Sequence, residues 1–178
     1  MTKVQTSVDN WFVNHLPALE TFMRVSFGIV WIIDGALKFE PGFSMIDTIR
    51  SAAQSSPSWL APWFNFWINL TNTAPPPVGA IEILLGIALI LGFLRKIVYI
   101  LGFLYSLLVW SVPEAFGGPY VAGVSTDIGT GIIYAFVFFL FMIANAALGQ
   151  SKMSLDYIIE EKFPSWRRLA EIRGIKFG

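Results

Sequence analysis

The chain has no cysteine and a single histidine, and only 13% of its residues are charged. Without cysteine it cannot form a disulfide framework, a thiolate metal site or an iron–sulfur cluster of its own. With His15 as the single histidine, haem or zinc held by this chain alone is not expected. The formal net charge is zero, so nothing favours a nucleic-acid partner. Redox chemistry in this chain would therefore need a mobile organic carrier or a partner subunit.

Apolar residues take the place of the missing charge. The chain is 55% hydrophobic and 16% aromatic, whereas soluble domains carry roughly 25% charged residues. This composition predicts one membrane domain over residues 1–178. The N-terminal segment MTKVQTSVDNWFVNHLPALE is too polar and too long for a signal peptide. We therefore expect the first apolar segment to act as an uncleaved insertion signal.

Several apolar segments approach the length of about 20 residues that a membrane-spanning helix needs. They predict an all-α membrane protein, a bundle of four transmembrane helices over residues 18–39, 78–94, 97–112 and 126–148. Because Arg95 and Lys96 alone join the second and third segments, these two should form an antiparallel hairpin. Loops 40–77 and 113–125 then lie on one side of the membrane, and both termini, with the tail 149–178, lie on the other.

Basic residues predict the orientation of this bundle. Most lysines and arginines fall on the side of the termini, whereas the opposite loops hold Lys38 and Arg50. Positively charged segments stay in the cytoplasm, so we expect a multi-pass protein of the plasma membrane with both termini cytoplasmic. The basic tail around Trp166 is typical of an anchor to anionic lipid head groups.

Aromatic residues in the long loop share one face of a helix. These are Trp59, Trp63, Phe66, Trp67 and Leu70. They predict a short amphipathic helix lying in the outer membrane interface, where indole rings are enriched. The alternative is a lid whose aromatic side chains cover a lipid-soluble ligand.

Charged residues are predicted to converge on the outer half of the bundle. They are Asp34, Lys38, Glu82, Glu114 and Asp127. Four carboxylates beside one lysine cannot all stay ionised where water is scarce, so some of them should hold protons. Acids that carry protons next to lipid suit a quinone, because its two-electron reduction takes up two protons. They suit an inorganic dianion poorly.

Purely structural interpretations of these charges stay open. Asp34 and Lys38, four residues apart, can simply pair with each other. Asp127, which follows Thr126, can cap the fourth helix, and Glu114 can cap a turn. Arg24 lies nearer the cytoplasmic end, where we expect its side chain to reach lipid phosphate.

Glycines are placed where helices should pack closely. Gly28 and Gly35 lie on one stripe of the first span, and Gly79 and Gly86 lie on the face of the second span that carries Glu82. Small residues on one face allow the backbones of membrane helices to approach each other. We therefore expect these charged faces to point at neighbouring helices.

Three segments resemble the DoxD-like family. They are RVSFGIVWIIDGALKF (24–39), GAIEILLGIALILGFLRK (79–96) and VPEAFGGPYVAGVSTDIGTGIIY (112–134). Members of that family are four-span membrane subunits of the thiosulfate:quinone oxidoreductase of sulfur-oxidising archaea. The resemblance implies that two thiosulfates are joined to tetrathionate while the electrons reduce a membrane quinone. It also implies a single-span partner, the DoxA subunit. The alternative function is that of an accessory subunit of a terminal quinol oxidase.

Combined with the charge pattern, the resemblance gives a specific site hypothesis. Glu82 and Asp127 would deliver protons, with Asp34 beside them. Lys38 would hold a carbonyl oxygen or thiosulfate, and Glu114 would connect the site to bulk water. The quinone, a mobile electron acceptor, would be ringed by Trp31, Trp110 and Tyr120.

Overall fold

A computed structural model describes residues 3–118 and 128–172, which form helices and no strand. The predictions made for Asp127 and Tyr120 lie outside the described residues. The α-helices are α1 (Lys3–Leu37), α2 (Met45–Ser55), α3 (Ala61–Thr73), α4 (Val78–Leu91), α5 (Arg95–Ser111), α6 (Thr130–Leu148), α7 (Leu155–Lys162) and α8 (Arg167–Ala170). Three short 3-10 helices accompany them, at Ser58–Leu60, Ala115–Gly117 and Pro164–Trp166.

Two helices within the described residues are long and apolar enough to cross a membrane. They are the segment Asn10–Leu37 of α1 and the whole of α6. A third crossing results if Ser58–Thr73 and α4, which meet at an angle of 94°, count as one broken span. The prediction of an all-helical chain with membrane-spanning helices is therefore confirmed, with two or three candidate spans.

Several helix ends differ from the bounds predicted for the membrane spans. The first helix begins at Lys3, because the polar N-terminal segment is helical although it lacks the apolar run used to place the span. The second ends at Leu91, since Gly92 adopts a left-handed conformation at φ 63° that terminates the helix. The fourth begins at Thr130 instead of residue 126, because Gly129 is held at φ 90° and ψ 150°.

The long loop contains one helix more than predicted. Helix α3 contains all of the predicted aromatic face except Trp59, which lies in the preceding 3-10 helix. The buried aromatic residue of α3 is Phe64, while Phe66 and Leu70 are exposed. Helix α2 precedes it, capped by Ser44, whose hydroxyl accepts a hydrogen bond from the Asp47 amide. Buried residues of α2, α3 and the segment after α5 form a small apolar cluster.

The long helices associate as two antiparallel pairs, α1 with α4 and α5 with α6. A glycine crossing holds the first pair: a Cβ added at Gly86 would lie 2.5 Å from the Gly28 carbonyl oxygen, and one added at Gly35 would lie 2.7 Å from that of Gly79. Only glycine permits this approach of two backbones. The structure therefore confirms the close packing predicted for these four glycines.

The bundle has a polar cluster at each end. The cavity end is where α1 finishes and α6 begins, and the turn end is where Gly92–Leu94 link α4 to α5. At the turn end, Asp156 of α7 accepts hydrogen bonds from the Leu94 and Arg95 amides at 2.8 and 2.9 Å, and from the Trp166 indole at 2.8 Å. The Arg95 guanidinium lies 3.3 Å from the same carboxylate. The C-terminal segment is thus bound to the α4–α5 turn.

One prediction for the turn end was wrong. Arg24 does not extend toward lipid: its side chain is fully buried, and it donates to the carbonyl oxygens of Leu89, Ile90 and Met153. Trp166 bonds to Asp156 and packs against Phe93, with ring centroids 5.7 Å apart, while the neighbouring Arg167 and Arg168 are exposed; the lipid anchor stays a prediction. Sequence position alone could not reveal that the tail folds back over this end.

Candidate functional site

The cavity at the cavity end is enclosed by α1, α2, α4, α5 and α6 and has a volume of about 240 Å³. Charged residues predicted for the site, Asp34, Lys38, Glu82 and Glu114, all line it, and so does Trp31. Its wall also contains Phe43, Met45, Thr48, Ser106, Val109, Pro113, Thr130, Gly131 and Tyr134. The structure therefore brings five of the eight predicted site residues to one space.

Lys38 lies between two carboxylates in this cavity. Its Nζ is 2.9 Å from Oδ1 of Asp34, one turn earlier on α1, and 3.7 Å from Oε2 of Glu82 on α4. The Lys38 ammonium also lies 5.6 Å from the centroid of the Phe43 ring. The expected Asp34–Lys38 pair is present, but Lys38 also reaches across to Glu82. The glycine crossing sets this geometry, since Gly35 and Gly79 bring α1 and α4 together next to both residues.

Glu82 is the most deeply buried acid of the cavity, with 2% of its surface exposed. Its Oε1 accepts a hydrogen bond of 3.0 Å from the Tyr105 hydroxyl on α5, whereas its Oε2 has no hydrogen-bond partner within the described chain. The ionic contact of Oε2 with Lys38 is long at 3.7 Å. A buried carboxylate with one unbonded oxygen is costly unless a further partner is supplied.

Glu114 is held at the start of α6. Its carboxylate accepts hydrogen bonds from the Gly131 amide at 2.9 Å and from the Thr130 hydroxyl at 2.6 Å. An acid at a helix N-terminus is stabilised by the unpaired amides and the helix dipole. Glu114 therefore has the capping role left open for it, on α6 rather than on a turn, while remaining half-buried at the cavity wall.

Trp31 and Ser106 each present an unbonded donor. Trp31 is 1% exposed and Ser106 is fully buried, yet the Trp31 indole Nε1 and the Ser106 hydroxyl have no partner within the described residues. Buried polar groups in proteins are almost always hydrogen-bonded. Both residues line the same cavity as Glu82, whose Oε2 is also unbonded.

An aromatic wall completes the cavity. The Trp31 ring lies 5.4 Å from the Tyr134 ring and 5.8 Å from the Tyr105 ring, measured between centroids. Trp110, predicted to contact the ligand, does not line the cavity; its indole donates to the Ile128 carbonyl at 2.8 Å and its ring packs on Phe116. The Ile128 carbonyl thus occupies the polar edge of Trp110, and its contact with a ligand stays a prediction.

The sequence analysis missed Ser106 and Tyr134, which line the cavity, and Tyr105, which donates a hydrogen bond to Glu82. Ser106 was detectable as an isolated hydroxyl inside an apolar helix. Tyr134 lies one turn after Gly131, and a Cβ at Gly131 would lie 2.7 Å from the Trp110 amide nitrogen of α5. That close approach brings this face of α6 against α5. Tyr105 carried no signal, because a tyrosine at a helix surface is as typical of a lipid interface.

Among the described residues, no group of His, Asp and Glu is arranged to hold a metal ion. The cavity instead combines three carboxylates, one ammonium group, two unbonded donors and an aromatic wall. Such a lining favours a flat, uncharged ring with acceptor oxygens, because a ring can stack on the aromatic side chains while its oxygens accept from Trp31, Ser106 or Lys38. Comparisons with protein-family models, characterised proteins and solved structures give no match to this chain.

Proposed function

We propose that this chain is the membrane subunit of a thiosulfate:quinone oxidoreductase and that the cavity binds the ring of a membrane quinone. The observation that carries the proposal is the set of three buried polar atoms without partners, on Trp31, Ser106 and Glu82, around one cavity. A quinone carbonyl would accept from the two donors. A protonated Glu82 would donate from its free oxygen.

The proposed reaction balances as follows. Two thiosulfate ions lose one electron each and are joined by a new sulfur–sulfur bond, giving tetrathionate. The quinone is the substrate that takes up these two electrons together with two protons, giving quinol. No proton comes from thiosulfate, so both come from water, and in this proposal they reach the quinone through side chains of the cavity.

The side chains of the cavity are suited to hold and move those protons. Glu82 accepts a hydrogen bond from the Tyr105 hydroxyl and faces Lys38. Glu114, half-buried beside the exposed Thr130, contacts both the cavity and solvent. Positioned acids of this kind contribute about 10²–10⁴-fold to proton-transfer steps. We assign proton delivery to Glu82, its replenishment to Glu114, and orientation of a ring oxygen to Lys38.

Thiosulfate itself is a poor ligand for this cavity. The described lining has one cation, Lys38, which already contacts Asp34 and Glu82. A dianion bound there would lie beside three carboxylates in a poorly hydrated space, where like charges repel strongly. We therefore place thiosulfate on the single-span partner subunit or at its junction with this chain, close enough for electrons to pass to the quinone.

The proposed topology keeps four spans, with both termini and the turn end in the cytoplasm and the cavity end outside. Helices α4 and α5 have 14 and 17 residues, or about 21 and 26 Å at 1.5 Å per residue. A hydrocarbon core of about 30 Å would thin locally around them. The 94° bend between Ser58–Thr73 and α4 supports an α3 that lies along the outer membrane surface.

The decisive experiment compares Glu82→Gln with Glu40→Gln, a matched change of an exposed acid just after α1. Each variant is produced with its single-span partner in membranes that lack the native protein. Quinol formation is followed after addition of thiosulfate. Glu82→Gln should lower kcat at least tenfold while Glu40→Gln retains it.

Two results would overturn the proposal. One is thiosulfate-dependent turnover that Glu82→Gln leaves unchanged. The other is a complex that isolates stoichiometrically with haem-copper oxidase subunits and gives no thiosulfate-dependent reduction, which would indicate an accessory role in a terminal oxidase.

A further inference from the structure

Helices α4 and α5 leave a long apolar groove between them. A turn of three residues, Gly92–Leu94, joins them, yet each packs mainly against another partner, α4 on α1 and α5 on α6. The resulting groove has a volume of about 610 Å³. Its walls are Ile81, Leu84 and Ala88 on α4 and Leu101, Leu104 and Tyr105 on α5, among others.

The groove is linked to the cavity through a series of shared wall residues. A smaller apolar space of about 200 Å³ lies between them. It shares Met45, Val109 and Pro113 with the cavity, and it shares Ile81, Tyr105 and Leu108 with the groove. The lining of this intermediate space contains no charged side chain and includes Met45 and Ile49 of α2, so it outlines an apolar route from the cavity, beneath α2, toward the outside of the bundle.

Tyr105 marks the boundary between polar and apolar surroundings along this route. Its hydroxyl donates to Glu82 in the cavity wall, at 3.0 Å, while Tyr105 also lines the groove. A ligand lying across this boundary must be polar at the cavity and hydrocarbon beyond it. The cavity volume of about 240 Å³ is below the 300–1,000 Å³ of typical small-molecule sites, so the larger part of such a ligand must lie elsewhere.

We propose that the α4–α5 groove binds the isoprenoid tail of the quinone whose ring occupies the cavity. This inference rests on the proposed function and extends it to the tail. A bilayer lipid could fill an isolated groove equally well, but a lipid would have no reason to require the connection to the cavity. The groove would select tailed quinones and orient the ring, because a tail leaving between α4 and α5 fixes the side from which the ring enters.

The test uses Ala88→Phe, which fills the groove from α4 without altering the cavity. Ala147→Phe, on the exposed face of α6, is the matched control. Binding of two probes is measured in nanodiscs of one lipid composition, by quenching of tryptophan fluorescence. The probes are decylubiquinone and the ubiquinone head group without a tail. Since each variant is compared with the native chain for the same probe, partition of the probe into lipid cancels.

Ala88→Phe should raise the Kd for decylubiquinone at least tenfold and change the Kd for the tailless ring less than twofold. Ala147→Phe should change neither. Leu104→Phe, which narrows the groove from α5, is the second variant and should repeat the result if Ala88→Phe does not assemble. The inference is overturned if the groove variants weaken both probes equally or neither probe. If neither probe binds the native chain, the proposed function itself fails.

Discussion

Ser106 gives the sharpest separation between a binding role and a structural role. Its hydroxyl is fully buried, lines the cavity and has no partner within the described chain. A buried polar group left unbonded costs about 1–3 kcal/mol. In Ser106→Ala that cost disappears together with the hydroxyl, so the free protein should be as stable as the native chain or more stable.

Binding should respond in the opposite direction. A hydrogen bond to a neutral acceptor contributes about 0.5–1.5 kcal/mol net. Because about 1.4 kcal/mol corresponds to tenfold in an equilibrium constant, loss of this bond should raise the quinone Kd roughly two- to tenfold. Ser106→Ala is thus expected to keep or raise the free energy of unfolding while weakening the ligand.

The matched control is Ser111→Ala on the same helix. The Ser111 hydroxyl is also buried, but it donates to the Leu108 carbonyl at 3.2 Å and does not line the cavity. Its loss should destabilise the protein by about 1 kcal/mol and leave the quinone Kd unchanged. Thermal unfolding in detergent and quinone titration in nanodiscs measure the two quantities. Equal destabilisation by both variants, with unchanged binding, would refute the reasoning.

Two further changes test the packing that positions the cavity. Gly86→Val should destabilise the protein by about 1–3 kcal/mol, because its Cβ would lie 2.5 Å from the Gly28 carbonyl oxygen. The control is Ile87→Val, one residue along on an exposed face. Equal melting temperatures of the two variants would contradict the glycine crossing. Asp156→Ala should cost about 3–5 kcal/mol, because it leaves Arg95 buried without its carboxylate. The exposed Asp47→Ala should have little effect on unfolding, and equal losses from both aspartates would show that the buried pair is not what holds the turn end.

Much of the cavity could be predicted because a charged side chain inside an apolar helix can avoid lipid in only a few ways. Asp34, Lys38 and Glu82 lie in long apolar segments, and burial against neighbouring helices was the physical way to keep them from lipid. The glycines next to them indicated which faces would meet. These local rules were sufficient to bring the acids of α1 and α4 together with Glu114 at one end of the bundle.

The remaining features depend on contacts between distant parts of the chain. Nothing near Trp110 in sequence indicates that the Ile128 carbonyl occupies its indole. Arg24 looked like a residue at a membrane boundary, because its partners Leu89 and Met153 are more than sixty residues away. Helix α2 was missed because it is neither apolar nor strongly basic, and its place is fixed by packing of Ile49 and Ala52 against other helices.

The two helix pairs, α1 with α4 and α5 with α6, are held together differently at the two ends of the bundle. At the turn end, Arg24 of α1 bonds to α4, and Asp156 binds the tail to the first amide of α5. At the cavity end, the hydrogen bond from Tyr105 to Glu82 links α5 of one pair to α4 of the other. Under the proposed function, each proton that Glu82 takes up or releases would alter this link between the two pairs, so proton transfer in the cavity would be coupled to entry and exit of the ring.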